Sequence, residues 1–163
     1  MEYHKITKQI TDILKENNLW FETFEHEPVR TSEEAAKIRQ GYDLNQGAKA
    51  MIVRVKISES NKKFVMLVLP GDLRFDNSKV KNIFGAKDIR FAAESEISEI
   101  TKGIQVGGVP PFGNLFGLEV IADPKLFKNK KIIFNAGDRR FSIAMFSKDY
   151  ESVVKPQITS IIQ

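Results

Sequence analysis

The sequence predicts a mixed α/β domain, a β-sheet of about six strands with helices packed around it. Three observations carry this prediction. The alternating segment "AMIVRVKI" (50–57) and the continuously apolar "FVMLVLPG" (64–71) are joined by the polar "SESNKK", which reads as a β-hairpin. The second of these strands is apolar on both faces, as a central strand is. Residues 3–18 instead place Ile6, Ile10, Ile13 and Leu14 at helical intervals. A hairpin among helix-period segments argues against a purely doubly wound parallel sheet.

The remaining elements follow in chain order. "LWFETF" (19–24) is short and aromatic, a strand. "TSEEAAKIRQG" (31–41) carries a capping box, Thr31 at the N-cap and Glu34 three residues on, with Gly41 past the end. After the hairpin, "DNSKVKNIFG" (76–85) reads as a short helix capped by Asp76 or Asn77 and closed by Gly85. "AAESEISEITKG" (92–103) reads as another, with Ile97 and Ile100 turned inward and Gly103 at its end. "LFGLEVIAD", "KIIFNAG" and "FSIAMF" supply three more strands. "SKDYESVVK" closes as a helix with Ser147 as N-cap, and Pro156 stops it.

The chain of 163 residues reads as one domain, residues 1–163, with no internal repeat or linker. A hydrophobic share of 42% supports a packed core. No apolar run reaches the roughly 18 residues of a membrane span, and the polar N-terminus lacks a signal-peptide apolar region, so a cytoplasmic protein is expected. There are no cysteines, which removes disulfides, thiol nucleophiles and cysteine zinc sites. Two histidines, His4 and His26, cannot make a three-histidine metal centre. No metal and no cofactor is expected. The net charge of +4 allows a polyanionic partner, and "KLFKNKK" (125–131) could meet an RNA backbone.

Nucleophile-elbow, P-loop, dinucleotide-fold and zincin motifs are absent. Catalysis, if present, then rests on backbone groups and positioned water. "GGVPPFG" (107–113) suits that chemistry. Glycine lets backbone approach a ligand, while Pro110 and Pro111 stiffen the loop and cannot donate. The N–H groups left are those of Gly107, Gly108, Val109, Phe112 and Gly113. A tight turn with a proline kink explains the same residues more cheaply. Lys49 stands at the mouth of an apolar strand, able to offer a point charge to an ester or phosphate oxygen, or simply solvated. His26 reads as a base, an orienting donor or a plain loop histidine. Asn135, Gly137 and Asp138 form a polar break between two strands, where a β-turn would serve as well.

Together and in order, "HEPVRTSEEAA" (26–36), "GAKA" (47–50), "LPGDLRFD" (69–76), "GGVPPFG" and "NAGDRRFSI" (135–143) resemble the YbaK and prolyl-tRNA-synthetase-associated domain family. The resemblance implies a mixed, partly barrel-like sheet of about six or seven strands surrounded by helices. It implies a free-standing, trans-acting aminoacyl-tRNA deacylase for tRNA-Pro-type substrates. The partner would be the 3′ CCA end of aminoacyl-tRNA, with a prolyl-tRNA synthetase complex as a further candidate, and neither membrane nor DNA. Lys49 falls on the family lysine near the terminal adenosine and ester. Gly107 and Gly108 would hold the aminoacyl carbonyl. Phe24, His26, Thr31, Val109, Pro111, Phe112, Asn135, Gly137 and Asp138 would border the substrate. Water would be the nucleophile, assisted by the substrate's own ribose hydroxyl. Asn135 stands where many members have serine, and Phe24 where one branch has tyrosine, so amino-acid specificity does not carry over. Two alternatives stay open: a non-catalytic tRNA- or nucleotide-binding module of the same fold, and a hydrolase of another small ester.

Overall fold

The computed structural model describes residues 2–28, 31, 33, 34, 37 and 41–163. Most of the helix expected over 31–41 lies outside the described residues. Of its capping box, the Glu34 N–H donates to Thr31 Oγ1 at 3.1 Å.

The mixed α/β class holds, with the strands divided between two sheets. The strands are β1 (Phe21–Glu25), β2 (Ala48–Ser58), β3 (Asn61–Pro70), β4 (Asp88–Phe91), β5 (Glu119–Ala122), β6 (Lys131–Asp138), β7 (Phe141–Phe146) and β8 (Gln157–Ile158). The larger sheet runs β4-β2-β3-β5-β8, and the smaller β1-β7-β6. The expected hairpin is the antiparallel β2–β3 pair, and β5 then joins β3 in parallel. An isolated parallel bridge between Gly47 and Ile133 ties the two sheets together. Strands β4 and β8 were not legible in the sequence. They have four and two residues, too few to display a period.

Among the described residues the helices are α1 (Lys5–Glu16), α2 (Asn77–Phe84), α3 (Glu94–Thr101) and α4 (Ser147–Val154). Helix α1 buries Ile6, Ile10 and Leu14, as its spacing requires, and Thr7 beside them. Asp76 caps α2 by accepting from the Lys79 N–H at 3.1 Å, and Gly85 ends it at φ 62°. Helix α3 buries Ile97 and turns out through Lys102 at φ 59°. Ser147 does not cap α4: it is the first helical residue, and its hydroxyl donates to the Asn129 carbonyl at 2.6 Å.

The core between the sheets is closed by α1. Ile6, Ile10 and Leu14 meet Ile132, Phe134, Ile143 and Met145 from one face of the smaller sheet. Cross-strand register puts Ile133, Asn135, Ser142, Ala144 and Phe24 on its opposite face, because side chains alternate along each strand. Strand β6 carries a bulge between Asn135 and Asp138. At its centre Gly137 adopts φ 99°, and a Cβ there would strike Ile6 Cγ2 and Thr7 Oγ1 of α1. Replacing Gly137 with alanine should therefore cost at least about 1–2 kcal/mol, through both the left-handed backbone and the clash. Thermal unfolding of Gly137→Ala checks this, and an unchanged Tm would refute it.

Candidate active site

The site follows from a gap in strand pairing. Strand β4 covers β2 only from Val53 onward, with one further bond from the Ala92 N–H to the Ile52 carbonyl. On that side the edge of β2 over Ala48–Met51 is left to a cavity of about 500 Å³. Ala48, Ala50 and Ile52 of β2, Ile97 of α3, Ile133 of β6 and Val109 make its apolar lining. Lys49, Tyr42, Thr31 and Asn135 supply polar groups, and Glu33, Asp43 and Glu94 bring carboxylates. An apolar hollow with a few convergent polar groups is the usual form of a small-molecule site.

Lys49 is half-buried, and its ammonium donates to the Leu73 carbonyl at 2.5 Å. Burial pulls its pKa below the ordinary lysine value, with Glu33 acting in the opposite direction. A second, more open cavity of about 740 Å³ shares Lys49, Met51 and Phe91 with the first. It continues to Arg74, Asn77 and Ser78. Phe91, 61% exposed, stands against Phe75 with ring centroids 5.6 Å apart. Lys49 thus lies at the junction of the two cavities.

The 107–113 loop does two jobs, and they divide along its length. Val106, Gly107 and Val109 line the first cavity. Gly107 takes φ 92°, which glycine tolerates and side chains resist. Pro111 and Phe112 do not border the cavity. Both are buried, and Phe112 stacks between Phe134 and Tyr150 at 5.5 and 5.7 Å. The Tyr150 hydroxyl donates to the Pro111 carbonyl at 2.6 Å. These residues anchor the loop and do not line the cavity.

Gly108 also departs from expectation. Its N–H already donates to the Gln105 carbonyl at 2.9 Å, and its carbonyl accepts from the Gly137 N–H at 2.8 Å. It has no N–H to offer a ligand, and a Cβ there would press on the Asp138 backbone at 3.3 Å. The trans peptide sets the Val109 N–H opposite the Gly108 carbonyl, hence away from Gly137.

Of the other candidates, Thr31 and Asn135 reach the cavity, whereas Phe24, His26, Gly137 and Asp138 do not line it. Phe24 packs edge-on against Tyr42 at 5.9 Å. Gly137 belongs to the bulge. Asp138 binds the Arg140 guanidinium at 2.6 and 2.8 Å, and that hydrogen bonding holds its carboxyl below the usual range. His26 lies behind the wall, bonded to Ser142. Tyr42 and Phe91 also line the cavities, and the sequence did not single them out. Tyr42 is buried beside Glu22, and burial first, then that carboxylate, push its hydroxyl up to about 12. A lone tyrosine or phenylalanine carries no motif, so nothing in the sequence could have singled these out.

Known proteins match this chain along most of its length. The model of the aminoacyl-tRNA editing domain matches residues 26–153. The multifunctional Ser/Thr-tRNA deacylase ProXp-y of Escherichia coli K12 is 31% identical over 154 residues, 94% of this chain and 90% of that protein. A proline–tRNA ligase of Bacillus licheniformis is 31% identical over 131 residues, 78% of this chain but 22% of the ligase. Among solved structures, a protein proposed as a trans-editing enzyme for prolyl-tRNA synthetase superposes with a TM-score of 0.80. It is 21% identical, and the match covers 99% of each chain, which speaks to the fold.

The anchoring role of Tyr150 can be measured. In Tyr150→Phe the Pro111 carbonyl stays buried without its donor, at a cost of about 1–3 kcal/mol. Urea unfolding of the variant should show this loss, and a midpoint equal to the parent's would refute it.

Proposed function

The chain belongs to the aminoacyl-tRNA editing domain family and is an aminoacyl-tRNA deacylase; we propose that it removes wrongly attached amino acids from tRNA-Pro-type substrates at the cavity beside Lys49. The observation that carries this reading is convergence. Lys49, Gly107, Val109 and Asn135 come from separate parts of the chain and meet on one small apolar hollow.

The substrate's chemistry fits the two cavities. An aminoacyl ester joins a small side chain and an ammonium group to a ribose that carries a base and phosphate. The apolar hollow takes the side chain, with Glu33, Asp43 and Glu94 of opposite charge to the ammonium. The terminal adenosine lies across Lys49 toward the second cavity, where Phe91 offers a ring for stacking and Arg74 a charge for phosphate. The Gly107 and Val109 N–H groups, rather than that of Gly108, hold the ester carbonyl.

Hydrolysis then needs little else. A water oxygen attacks the ester carbon, and negative charge gathers on the carbonyl oxygen within reach of those N–H groups. The ester C–O bond breaks, the ribose oxygen takes the proton that water gives up, and free amino acid and tRNA leave. The neighbouring ribose hydroxyl assists the water. Lys49 adds positive charge near the developing oxyanion. Hollows of this kind separate amino acids differing by one methylene by only about 1–3 kcal/mol, so the site rejects by size and polarity together. Serine and threonine, the amino acids named for the Escherichia coli relative, are the first substrates to try. Recruitment by a prolyl-tRNA synthetase is a further proposal, supported by the likeness to the ligase.

The test is deacylation of tRNAs charged with alanine, cysteine, serine, threonine or proline. Hydrolysis of at least one mischarged tRNA-Pro, with the cognate prolyl ester spared, is expected. Binding without turnover across the panel would make the protein a non-catalytic tRNA module instead. Lys49→Ala should fold normally, by circular dichroism, and lose on the order of 100-fold in kcat/KM, as when one oxyanion-stabilising donor is removed. Near-parental activity in that variant would remove Lys49 from the mechanism.

A further inference from the structure

Outside the cavities, the structure gathers positive charge on two aromatic rings. Trp20, 38% exposed, lies beside Phe146 with ring centroids 5.0 Å apart. The Lys131 ammonium stands 4.6 Å from the Trp20 ring centre and 5.9 Å from that of Phe146. The Lys130 ammonium stands 5.7 Å from the Phe146 ring centre. Lys128 is exposed at the end of the short helical turn Pro124–Lys128. Among the described residues, none of Lys128, Lys130 and Lys131 forms an ion pair. Carboxylates of adjoining segments are engaged elsewhere. Asp123 is buried and accepts the N–H groups of Lys125 and Ile161, and Glu22 accepts the Tyr42 hydroxyl at 3.2 Å.

The backbone beneath these lysines is pinned. The Lys130 carbonyl accepts the Ser147 N–H at 2.9 Å, and the Asn129 carbonyl accepts the Ser147 hydroxyl at 2.6 Å. Asn129 Nδ2 donates to the Asn45 carbonyl at 2.8 Å, and Gln46 Nε2 to the Lys131 carbonyl at 3.4 Å. Asn45 and Gln46 belong to the turn Leu44–Gln46, whose Leu44 borders the first cavity. Register makes the link continuous. Lys131 pairs with Phe146, and alternation puts Lys131, Ile133 and Asn135 on one face of β6. Ile133 and Asn135 line the cavity. Lys131 follows about 7 Å further along the strand from Ile133.

Two ammonium groups on one pair of rings repel each other, and no carboxylate of the described residues neutralises them. The ring faces hold them in place by attraction to positive charge. Such a surface fits an anion from outside, and several fixed charges in a row fit a repeating one. A nucleic-acid backbone is a ligand of that kind. Resting on the deacylase reading above, we propose that Lys130 and Lys131, seated on Trp20 and Phe146, form with Lys128 a docking surface for the phosphate backbone of the tRNA whose 3′ end enters the cavity. An RNA duplex is wider than the hollow, so an arm whose end lies in the cavity overhangs the surface beside it. Contacts to phosphate add affinity and set orientation without reading sequence.

Two measurements test the proposal. The first follows binding of uncharged tRNA, which carries no ester, by fluorescence anisotropy across a salt series. Lys130→Gln/Lys131→Gln, folded like the parent by circular dichroism, should weaken binding on the order of 10-fold and reduce the slope of log affinity against log salt by about 1 to 2. Lys62→Gln/Lys63→Gln, the same change of charge on the β2–β3 hairpin of the other sheet, should keep the parental slope. Trp20→Ala leaves the charge untouched and should still weaken binding several-fold, because the lysines lose their seat. Equal losses in the two lysine pairs would reduce the effect to net charge and overturn the proposal, as would a Trp20→Ala variant that binds like the parent. Polyglutamate that displaces the tRNA as well as unlabelled tRNA does would make this a surface for an acidic protein and overturn the RNA assignment. The second measurement is deacylation, in which Lys130→Gln/Lys131→Gln should raise KM on the order of 10-fold and change kcat far less. Patch-dependent tRNA binding in a protein that hydrolyses no ester would keep the docking surface and refute the deacylase reading. Hydrolysis with a parental KM in the variant would do the reverse.

Discussion

The site depends on one backbone hydrogen bond, from the Gly137 N–H to the Gly108 carbonyl. It fastens a glycine- and proline-rich loop to the rigid end of β6. The bond exists because β6 bulges at that point, and the bulge exists because residue 137 has no side chain. Helix α1 leaves no room for one. Its Thr7 hydroxyl donates to the Ala136 carbonyl at 2.5 Å, so the helix also holds the strand on which the bulge sits. Loop, strand and helix are therefore fixed as a set. The apolar core supplies the rigidity, and the glycines supply the geometry.

Around that point the molecule separates support from contact. Phe112, Pro111 and Tyr150 form a buried anchor, while Gly107 and Val109 keep to the cavity wall a few residues away. The same division appears in β6, where Phe134 enters the core and Asn135 turns to the opposite face. Preorganised backbone donors are useful in catalysis because they need not reorganise as charge develops. Here the preorganisation comes from ordinary packing on the far side of each element.

The sequence disclosed the architecture more fully than the site. Caps and periodicity marked α1, α2 and the β2–β3 hairpin because burial and backbone satisfaction are local demands. The loop was harder. Glycine and proline appear in the same pattern whether the backbone binds a ligand or packs under a strand, so Gly107 and Phe112 could not be told apart. Asp138 reads equally as a turn residue or a contact to substrate, and Arg140, two residues later, engages its carboxylate. Ser142 reads as an ordinary polar residue in "FSIAMF", and only cross-strand register sets it between Phe24 and Asn135. The order of motifs conveyed the family, since order survives where single residues are ambiguous. The division into two sheets was not visible, because strand neighbours are long-range facts.

The position of α1 bears on how such domains can be excised and transplanted. The family match begins at residue 26 and ends at 153. Helix α1 and strand β1 lie before that span, and the buried Ile161 and Ile162 lie after it. Ile161 donates its N–H to the buried Asp123 carboxylate at 2.8 Å, so the tail is also built into the larger sheet's support. The span matched by the family model is thus shorter than the set of elements packed around the site. A fragment cut at residues 26 and 153 would keep Lys49 and the glycine loop and lose the helix that shapes the bulge beneath them. Grafting this activity onto another scaffold means carrying the flanks as well.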